Sequence, residues 1–251
     1  MRILISNDDG IYSPGLAALA RVASKFGEVR IVAPDVEQSS MSQAITSSRP
    51  VSYRQAKVEG FDAYRVNGTP SDCVAVGIFN WDKVDLVLSG INLGTNLGSA
   101  MWYSGTLAAA KQGALFNLRG IAFSMPVEED SAKAMRFDVV EEWAAKALEL
   151  LLNQTHLKLV NVNIPAEPKG MRWARQSVRL YDGKIVASKD PMGRNNFWYT
   201  VVPVTDTEED TDRWAFGQGF VSLTPMTLDL TDDVALDRAK RNHPQLPPIS
   251  Q

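Results

Sequence analysis

The sequence predicts an α/β fold in which helices cover both faces of a mostly parallel sheet. Short, continuously apolar runs alternate with helix-like segments over the first two thirds of the chain, a pattern typical of such sheets. The composition permits a large core, because 45% of the 251 residues are hydrophobic and 22% are charged. A different pattern in the last third of the chain predicts antiparallel β-structure there.

The alternation begins at the N-terminus and continues to about residue 165. The run RILIS (2–6) predicts a first buried strand. The segment 14–27, with a proline in its first turn and a glycine at its end, predicts the first helix. Thr69, Pro70 and Asp72 have the spacing of a helix N-terminus with a capping box. The other predicted strands are 29–34, 63–66, 85–90, 120–125 and 159–165, and the other predicted helices are 104–116 and about 133–152.

The pattern changes after about residue 171. Two β-rich stretches flank a Tyr-Asp-Gly turn signal, which predicts a long antiparallel hairpin rather than another strand–helix–strand unit. The run FVSLTPM (220–226) predicts one more strand. We therefore expect a single domain spanning 1–251, with a core of about 1–170 plus 215–226, a protruding β-hairpin of about 171–204 and a C-terminal arm of about 227–251.

Charge and cysteine content argue against several classes of partner. The 26 basic and 29 acidic side chains give a formal net charge of −3, which does not favour binding to a nucleic-acid duplex or to an anionic membrane. No apolar stretch approaches membrane-spanning length, and the N-terminus lacks the pattern of a secretory signal. The single cysteine, Cys73, fits a reducing compartment. We expect a cytoplasmic protein.

Two adjacent carboxylates, Asp8 and Asp9, follow the first predicted strand. Ligands of open α/β sheets bind beyond the carboxyl ends of the strands. Because like charges in contact are unfavourable, a positive partner is expected there. Two carboxylates supplemented by neutral oxygens suit magnesium, manganese or calcium. On the pair alone the alternative stays open that the carboxylates cap a turn at Asp9-Gly10.

The segment SGINLGTNLG (89–98) lies at the same predicted edge, where it begins at the end of the strand 85–90 and continues past it. It offers the carboxamides of Asn92 and Asn96, and its glycines let backbone amides approach an anion. The alternative is a flexible connection in which Asn and Gly supply turn conformations.

Hydroxyl groups occur in two more segments of this edge. Ser104, Gly105 and Thr106 open the helix 104–116, where backbone N–H groups and the helix dipole favour a phosphate-like anion. The run QSSMS (38–42) follows the second strand and contains Ser39. Taken singly, such serines are usually helix caps or turn residues.

These groups together fit metal-assisted hydrolysis of a phosphoryl group, with carboxylates for a cation and amides and hydroxyls for an anion. The chain has two histidines, neither of them in a motif, and one cysteine. A zinc site built on thiolates or a histidine cluster is therefore not expected. A G-x-S-x-G nucleophile motif is also missing.

Five segments, in this order, resemble the signature of the SurE survival-protein family of metal-dependent 5′/3′-nucleotidases. They are NDDG, VAPDVEQSS, GTPSDCV, SGIN-x-G-x-N-x-G and YSGT-x-AA. The later segment TDRWAFGQGFVSLTP is similar to the C-terminal part of that family. The resemblance covers nearly the whole chain, and the combination is far more specific than any single piece.

The resemblance implies a Rossmann-like three-layer αβα fold that acts on nucleoside monophosphates. It implies one divalent cation per subunit, magnesium or manganese, with calcium a further candidate, and a homodimer or homotetramer formed through the C-terminal hairpin and arm. The implied metal ligands are Asp8, Asp9, Ser39 and Asn92, and the implied phosphate-binding residues are Asn92, Asn96, Ser104, Gly105 and Thr106. Asp8 and Asp9 are then the catalytic residues, and either can orient or deprotonate the attacking water.

Two alternatives differ in chemistry from this interpretation. A phosphatase of the haloacid-dehalogenase type needs an aspartyl nucleophile in a D-x-D pattern, whereas here the carboxylates are adjacent and follow Asn7. A non-catalytic nucleotide-binding module for stress signalling would use the same anion site without turnover. For the base, the sequence offers Met101, Trp102, Tyr103 and Trp198 as stacking candidates, which are equally interpreted as core or interface residues.

Overall fold

The computed structural model describes residues 1–127, 135–178, 183–201 and 207–242. Within these ranges the chain forms eleven strands, six α-helices and one short 3₁₀ helix, Gly98–Trp102. The strands are β1 (Arg2–Ser6), β2 (Glu28–Pro34), β3 (Tyr53–Val58), β4 (Phe61–Val66), β5 (Leu86–Leu93), β6 (Arg119–Met125), β7 (Leu159–Asn163), β8 (Gly170–Trp173), β9 (Gly183–Lys189), β10 (Asn195–Val201) and β11 (Phe220–Met226). The helices are α1 (Pro14–Ala23), α2 (Pro70–Phe79), α3 (Gly105–Leu115), α4 (Phe137–Leu152), α5 (Asp212–Gly217) and α6 (Asp233–Asn242).

Nine of these strands form one mixed sheet, in the order β3-β4-β2-β1-β5-β6-β7-β11-β8. The six strands from β4 to β7 in this order are parallel, while β3 and β11 run antiparallel to their inner neighbours. The buried side chains of α1 and α4 pack on one face, and those of α2 and α3 on the other. The predicted three-layer α/β fold is therefore confirmed.

Local sequence signals fix the starts of the helices that border the site. Thr69 Oγ1 accepts a hydrogen bond from the backbone N–H of Asp72 at 3.1 Å, and Asp72 Oδ2 accepts one from the N–H of Thr69 at 2.9 Å. This is the capping box that the sequence predicts for α2. Ser104 Oγ caps α3 by accepting the N–H of Leu107 at 3.0 Å. Both helices thus begin where the sequence predicts.

The structure differs from the sequence expectation at three strands. β5 continues through Leu93, past a register irregularity between Ser89 and Asn92, so the predicted loop 89–98 is strand over its first half. β3 is an additional edge strand that the sequence analysis did not identify. β8, which lies inside the segment assigned to the hairpin, instead pairs with β11 at the other edge of the large sheet.

The predicted hairpin is present as β9 and β10, which pair antiparallel over seven positions. Its turn was predicted at the wrong place: β9 already begins at Gly183, the last residue of the Tyr-Asp-Gly signal, and the chain reverses at 190–194, where the N–H of Asp190 donates to the carbonyl of Arg194. The other two residues of the signal lie outside the described part of the chain. The division of the chain into core, hairpin and arm stays a prediction. In the arm, α6 has no buried residue. Residues 243–251 lie outside the described part of the chain. No helix that the structure describes combines the length and apolarity needed to cross a membrane.

Candidate metal and phosphate site

Asp8 lies at the carboxyl end of β1 and contacts the start of α3. Its side chain is 5% exposed, and the hydroxyl of Thr106 donates a hydrogen bond to Asp8 Oδ1 at 2.7 Å. A Cβ at position 105 would lie 2.8 Å from the Cβ of Asp8, so Gly105 is required for this close approach. The structure therefore joins the first predicted carboxylate to the predicted anion-binding helix start.

Asp9 points instead toward β5. The backbone N–H of Leu93 donates to Asp9 Oδ2 at 3.2 Å, which places this carboxylate beside Asn92. Asn92 donates its own side-chain amide to the carbonyl of Gly94 at 2.7 Å, so its Oδ1 is the atom left for a cation. Asp9 and Asn92 are thus brought to the same edge by the neighbouring strands β1 and β5.

Electrostatics at this edge favour a bound cation. Burial and then the neighbouring charge of Asp8 raise the pKa of Asp9 to about 6. Burial also raises the pKa of Asp8, against the hydrogen bonds from Thr106, and the charge of Glu37 acts on both carboxylates in the same direction. A divalent cation would compensate the repulsion between them.

The donor set determines which cation would fit. Among the residues that the structure describes, no group of three or more His, Cys, Asp and Glu side chains is arranged to hold a metal. A cation here would depend on Asp8 and Asp9 together with neutral oxygens such as that of Asn92. Such an all-oxygen set fits magnesium, manganese or calcium and does not favour softer metals.

Ser39 lies on the segment that follows β2. This segment contacts Asp8 directly. The backbone N–H of Gln38 donates to the carbonyl of Asp8 at 2.7 Å, and the N–H of Ser42 donates to the carbonyl of Tyr103 at 3.1 Å. The side chain of Ser39 is exposed, and its hydroxyl donates to Glu37 Oε1 at 2.6 Å. The three predicted polar loops therefore meet at one edge, as the topology required.

Asn96 is embedded in a buried hydrogen-bond network rather than presented on an open loop. Its side-chain amide donates to Ser124 Oγ at 2.9 Å and lies 3.4 Å from Thr106 Oγ1. Its backbone N–H donates to Asn163 Oδ1 at 2.8 Å, and its carbonyl accepts from Asn161 Nδ2 at 2.7 Å. The chain of contacts from Ser124 through Asn96 and Thr106 ends at Asp8.

Sequence reasoning missed four of the residues that shape this site. They are Glu37, Ser124, Asn161 and Asn163. A signal for the last two existed, because two asparagines alternate inside the apolar run LVNVNIP, where an unpaired polar group would be costly. Their partner, the backbone of residue 96, is 65 and 67 positions away and could not be read from the run itself.

The candidate stacking residues fall into two groups. Met101 is 2% exposed and packs in a core cluster with Leu107, so its interpretation as a core residue is the correct one. Trp102 and Tyr103 are 53% and 57% exposed, directly before the Ser104 cap. Trp198 lies on the hairpin and is also exposed. Two aromatic rings therefore border the start of α3.

Comparison with known proteins identifies the family of this chain. The family described as "Survival protein SurE" matches residues 3–183. "5'-nucleotidase SurE 1" of Thermus thermophilus is 44% identical over 92% of this chain and 93% of its own length. "5'-nucleotidase SurE" of Deinococcus radiodurans is 40% identical over 92% of this chain and 88% of its own length.

A solved structure also matches over nearly the whole chain. The crystal structure of the SurE protein from Aquifex aeolicus superposes with a TM-score of 0.82 at 36% identity, covering 96% of this chain and 99% of that one. The matches to these relatives and to this solved structure thus each cover more than nine tenths of the chain. This chain belongs to the SurE family.

Proposed function

We propose that this protein is a divalent-metal-dependent phosphatase that hydrolyses nucleoside 5′- and 3′-monophosphates to nucleoside and phosphate. One observation carries the proposal: Thr106, in the first turn of α3, donates a hydrogen bond to Asp8, the first of the two adjacent carboxylates that follow β1. A cation site and a phosphate-binding helix start are thereby adjacent. The names of the relatives, which are 5′-nucleotidases, support the same activity.

The metal ligands in this proposal are Asp8, Asp9, Ser39 and Asn92, and magnesium or manganese is the cation. When bound, the cation polarises the phosphoryl group and lowers the pKa of a water molecule. Asp8 is held in place by Thr106, and Asp9 by the N–H of Leu93, so both carboxylates keep a fixed orientation toward the edge of the sheet. Either can accept the proton of the attacking water.

The phosphate is bound by the first turn of α3 together with Asn92, near the end of β5, and Asn96, in the loop that follows β5. Ser104, Gly105 and Thr106 open the helix, where backbone N–H groups and the dipole favour an anion. Asn96 lies beside Thr106 in the buried network described above. Asn92 contributes its side chain from β5, the strand that precedes the loop of Asn96.

We expect little discrimination among bases. Reading a base requires buried polar groups that the wrong base leaves unpaired. Trp102 and Tyr103 are exposed directly before the start of α3, and their rings can stack on any base. We therefore expect less than about tenfold preference among bases, which corresponds to about 1.4 kcal/mol in transition-state binding.

The proposed assembly is a cytoplasmic homodimer or homotetramer in which the hairpin and the C-terminal arm contact a neighbouring subunit. Exposed aromatic side chains on β10 and the wholly exposed helix α6 support it. A second copy of the chain is a partner that could cover both.

Release of phosphate from an aryl phosphate and from a panel of nucleoside monophosphates, with manganese and after exhaustive chelation, tests the activity. Turnover that survives chelation would overturn the metal dependence. A rapid acid quench with labelled substrate tests the mechanism. If a water molecule attacks phosphorus, no phospho-aspartate accumulates, whereas a trapped phospho-aspartate would indicate the haloacid-dehalogenase chemistry.

A further inference from the structure

Asp212 is a fully buried carboxylate that joins three distant segments of the chain. It occupies the first position of α5 and is 0% exposed. Its Oδ2 accepts the backbone N–H of Gly98 at 2.8 Å, and its Oδ1 accepts the N–H groups of Ser177 at 3.0 Å and Arg213 at 2.8 Å. One side chain thereby connects the loop after β5, the segment that precedes the hairpin, and α5.

Capping of α5 does not explain why a carboxylate is buried at the first position of this helix. Thr211 already caps α5, because its Oγ1 accepts the N–H of Trp214 at 3.3 Å. Burial raises the pKa of Asp212, and the three backbone N–H groups act in the opposite direction. Burying a charge is costly unless it is fully hydrogen-bonded, so the bonds to other segments are what make this position favourable.

Gly98 lies between two predicted phosphate-binding groups along the chain, Asn96 and the start of α3. It follows Asn96 by two residues and begins the 3₁₀ helix that leads to the Ser104 cap of α3. Its φ of +55° is a conformation that favours glycine, and a Cβ here would lie 2.6 Å from Nε of Arg213. A displacement of Gly98 would therefore change the course of the chain between Asn96 and the Ser104 cap of α3.

Both hydrogen-bonding groups of Gly98 are held from the C-terminal part of the chain. Asp212 accepts its N–H, and Gln176 Nε2 donates to its carbonyl at 3.0 Å. Gln176 and Ser177 precede the hairpin strand β9. The same few bonds therefore hold both the loop after β5 and the segment that precedes the hairpin.

We propose that Asp212 is a positioning residue for phosphate binding: by holding Gly98, it fixes the course of the chain that connects Asn96 to the helix start at Ser104 to Thr106. This inference rests on the proposed phosphatase function. Asp212 itself does not touch the reacting atoms. It acts through the backbone of the loop, and Gln176 assists it from the carbonyl side.

The variant Asp212→Asn tests this with little change in shape. All three partners are N–H donors, so the amide nitrogen that replaces one oxygen cannot accept and faces a donor instead. We expect the KM for a nucleoside monophosphate and the inhibition constant of inorganic phosphate to rise about fivefold or more, with kcat changed less. Asp210→Asn, an exposed position two residues away, is the matched control and should leave both constants unchanged.

The split between KM and kcat separates positioning from simple destabilisation. A purely structural role would lower the active fraction and hence the apparent kcat, with KM and phosphate inhibition unchanged, and that result would overturn the proposal. If Asp212→Asn does not fold, Gln176→Leu decides, because it removes only the bond to the Gly98 carbonyl. A wild-type inhibition constant in Gln176→Leu would then contradict the inference. Inactive wild-type protein with manganese would instead refute the phosphatase function itself.

Discussion

The hydroxyl of Thr106 donates a 2.7 Å hydrogen bond to Oδ1 of Asp8, across 98 residues of sequence. The bond connects the end of the first strand to the first turn of α3. Since a threonine hydroxyl has one proton, donating it to Asp8 leaves its lone pairs toward the amide of Asn96, 3.4 Å away. Carboxylate, hydroxyl and carboxamide therefore have fixed relative orientations.

Replacing Thr106 with valine should weaken metal binding without unfolding the protein. The change keeps the shape but removes the hydrogen bond that orients Asp8. Partners of metal-ligating side chains are typically worth about tenfold or more in metal affinity or activity. Calorimetric titration with manganese and phosphatase kinetics measure the effect. Thr106→Ser, which keeps the hydroxyl, should retain most of the affinity, and equal affinities in the two variants would contradict the role of this bond.

The variant Asp9→Asn should abolish most activity and leave the metal-free protein at least as stable as the wild type. Burial and the charge of Asp8 both disfavour the ionised form of Asp9, so its removal relieves repulsion in the absence of a cation. Manganese should raise the melting temperature of the wild type more than that of Asp9→Asn. The same comparison applies to Asp8→Asn. Asp82→Asn, at an exposed position, serves as the control. A metal response in Asp9→Asn equal to the wild type would refute its role as a ligand.

Asn163 holds both backbone groups of Asn96, and Asn163→Asp should damage one of those two bonds. Oδ1 can still accept the N–H of Asn96, but the second oxygen replaces the amide that lies 3.2 Å from the Asn96 carbonyl. We expect a loss of about 1–3 kcal/mol in the free energy of unfolding, because a buried acceptor is left facing an acceptor. Urea unfolding at pH 7 measures this. Asn195→Asp, on the exposed hairpin, should have little effect. Equal losses in the free energy of unfolding in the two variants would argue against the stabilising role of the bonds between Asn163 and the backbone of Asn96.

Much of the fold was predictable because local signals decide it. The capping box at Thr69 and the Ser104 cap are readable within four residues, and continuous apolar runs mark the central parallel strands. The edge strand β3 was missed because its alternating, largely exposed pattern resembles a loop. β8 was missed because it has four residues and, among the described strands, pairs with β11 alone. Short strands of this kind depend on partners far along the chain.

The grouping of the candidate site residues was partly predictable, whereas their roles as metal and phosphate ligands stay a prediction. Sequence motifs identified the candidate groups at the edge of the sheet, and the structure joins Asp8 to the start of α3 and Asp9 to β5. Residues that act through the backbone of another segment carry no local signal. Asn163 and Asp212 each bond to the loop after β5 from elements more than 60 positions away, so only the tertiary structure reveals their partners.

Stability should depend on pH through Asp72. Burial alone would raise the pKa of this carboxyl, but hydrogen bonds from Thr46 and Thr69 outweigh burial and hold the pKa below its usual value. An acid with a lowered folded pKa stabilises the native state above its unfolded pKa of about 4 and loses this contribution as the pH falls through the folded pKa. The stabilisation is therefore present at neutral pH and lost in acid.

The comparison of wild type with Asp72→Asn isolates this contribution. Asp72 accepts the backbone N–H and the hydroxyl of Thr46 at 2.9 and 2.6 Å, and the amide of the variant cannot accept all of these bonds. We expect a loss of about 1–3 kcal/mol in the free energy of unfolding at pH 7, which shrinks as the pH is lowered toward 3. Urea unfolding at several pH values checks it, with Asp237→Asn as an exposed control. A difference that is constant with pH would rule out this assignment.

Aromatic side chains on β10 predict self-association. Phe197, Trp198 and Tyr199 are 64%, 63% and 80% exposed, although successive residues of a strand point to opposite faces. The two-stranded hairpin therefore presents large apolar surface on both faces, and an isolated hairpin is marginally stable in water. A second copy of the chain, seated on the hairpin, would bury these rings.

Light scattering at micromolar concentration should therefore give a mass that is a multiple of the 27.6 kDa chain. Because Phe197 and Tyr199 share one face, the double variant Phe197→Ser with Tyr199→Ser should shift the equilibrium toward the monomer by removing the apolar area that the contact buries. Phe79→Ser is the matched control, since Phe79 is 89% exposed at the end of α2, on a different element. If the wild type scatters as a monomer, or if the control dissociates as readily as the double variant, the hairpin is not the contact surface.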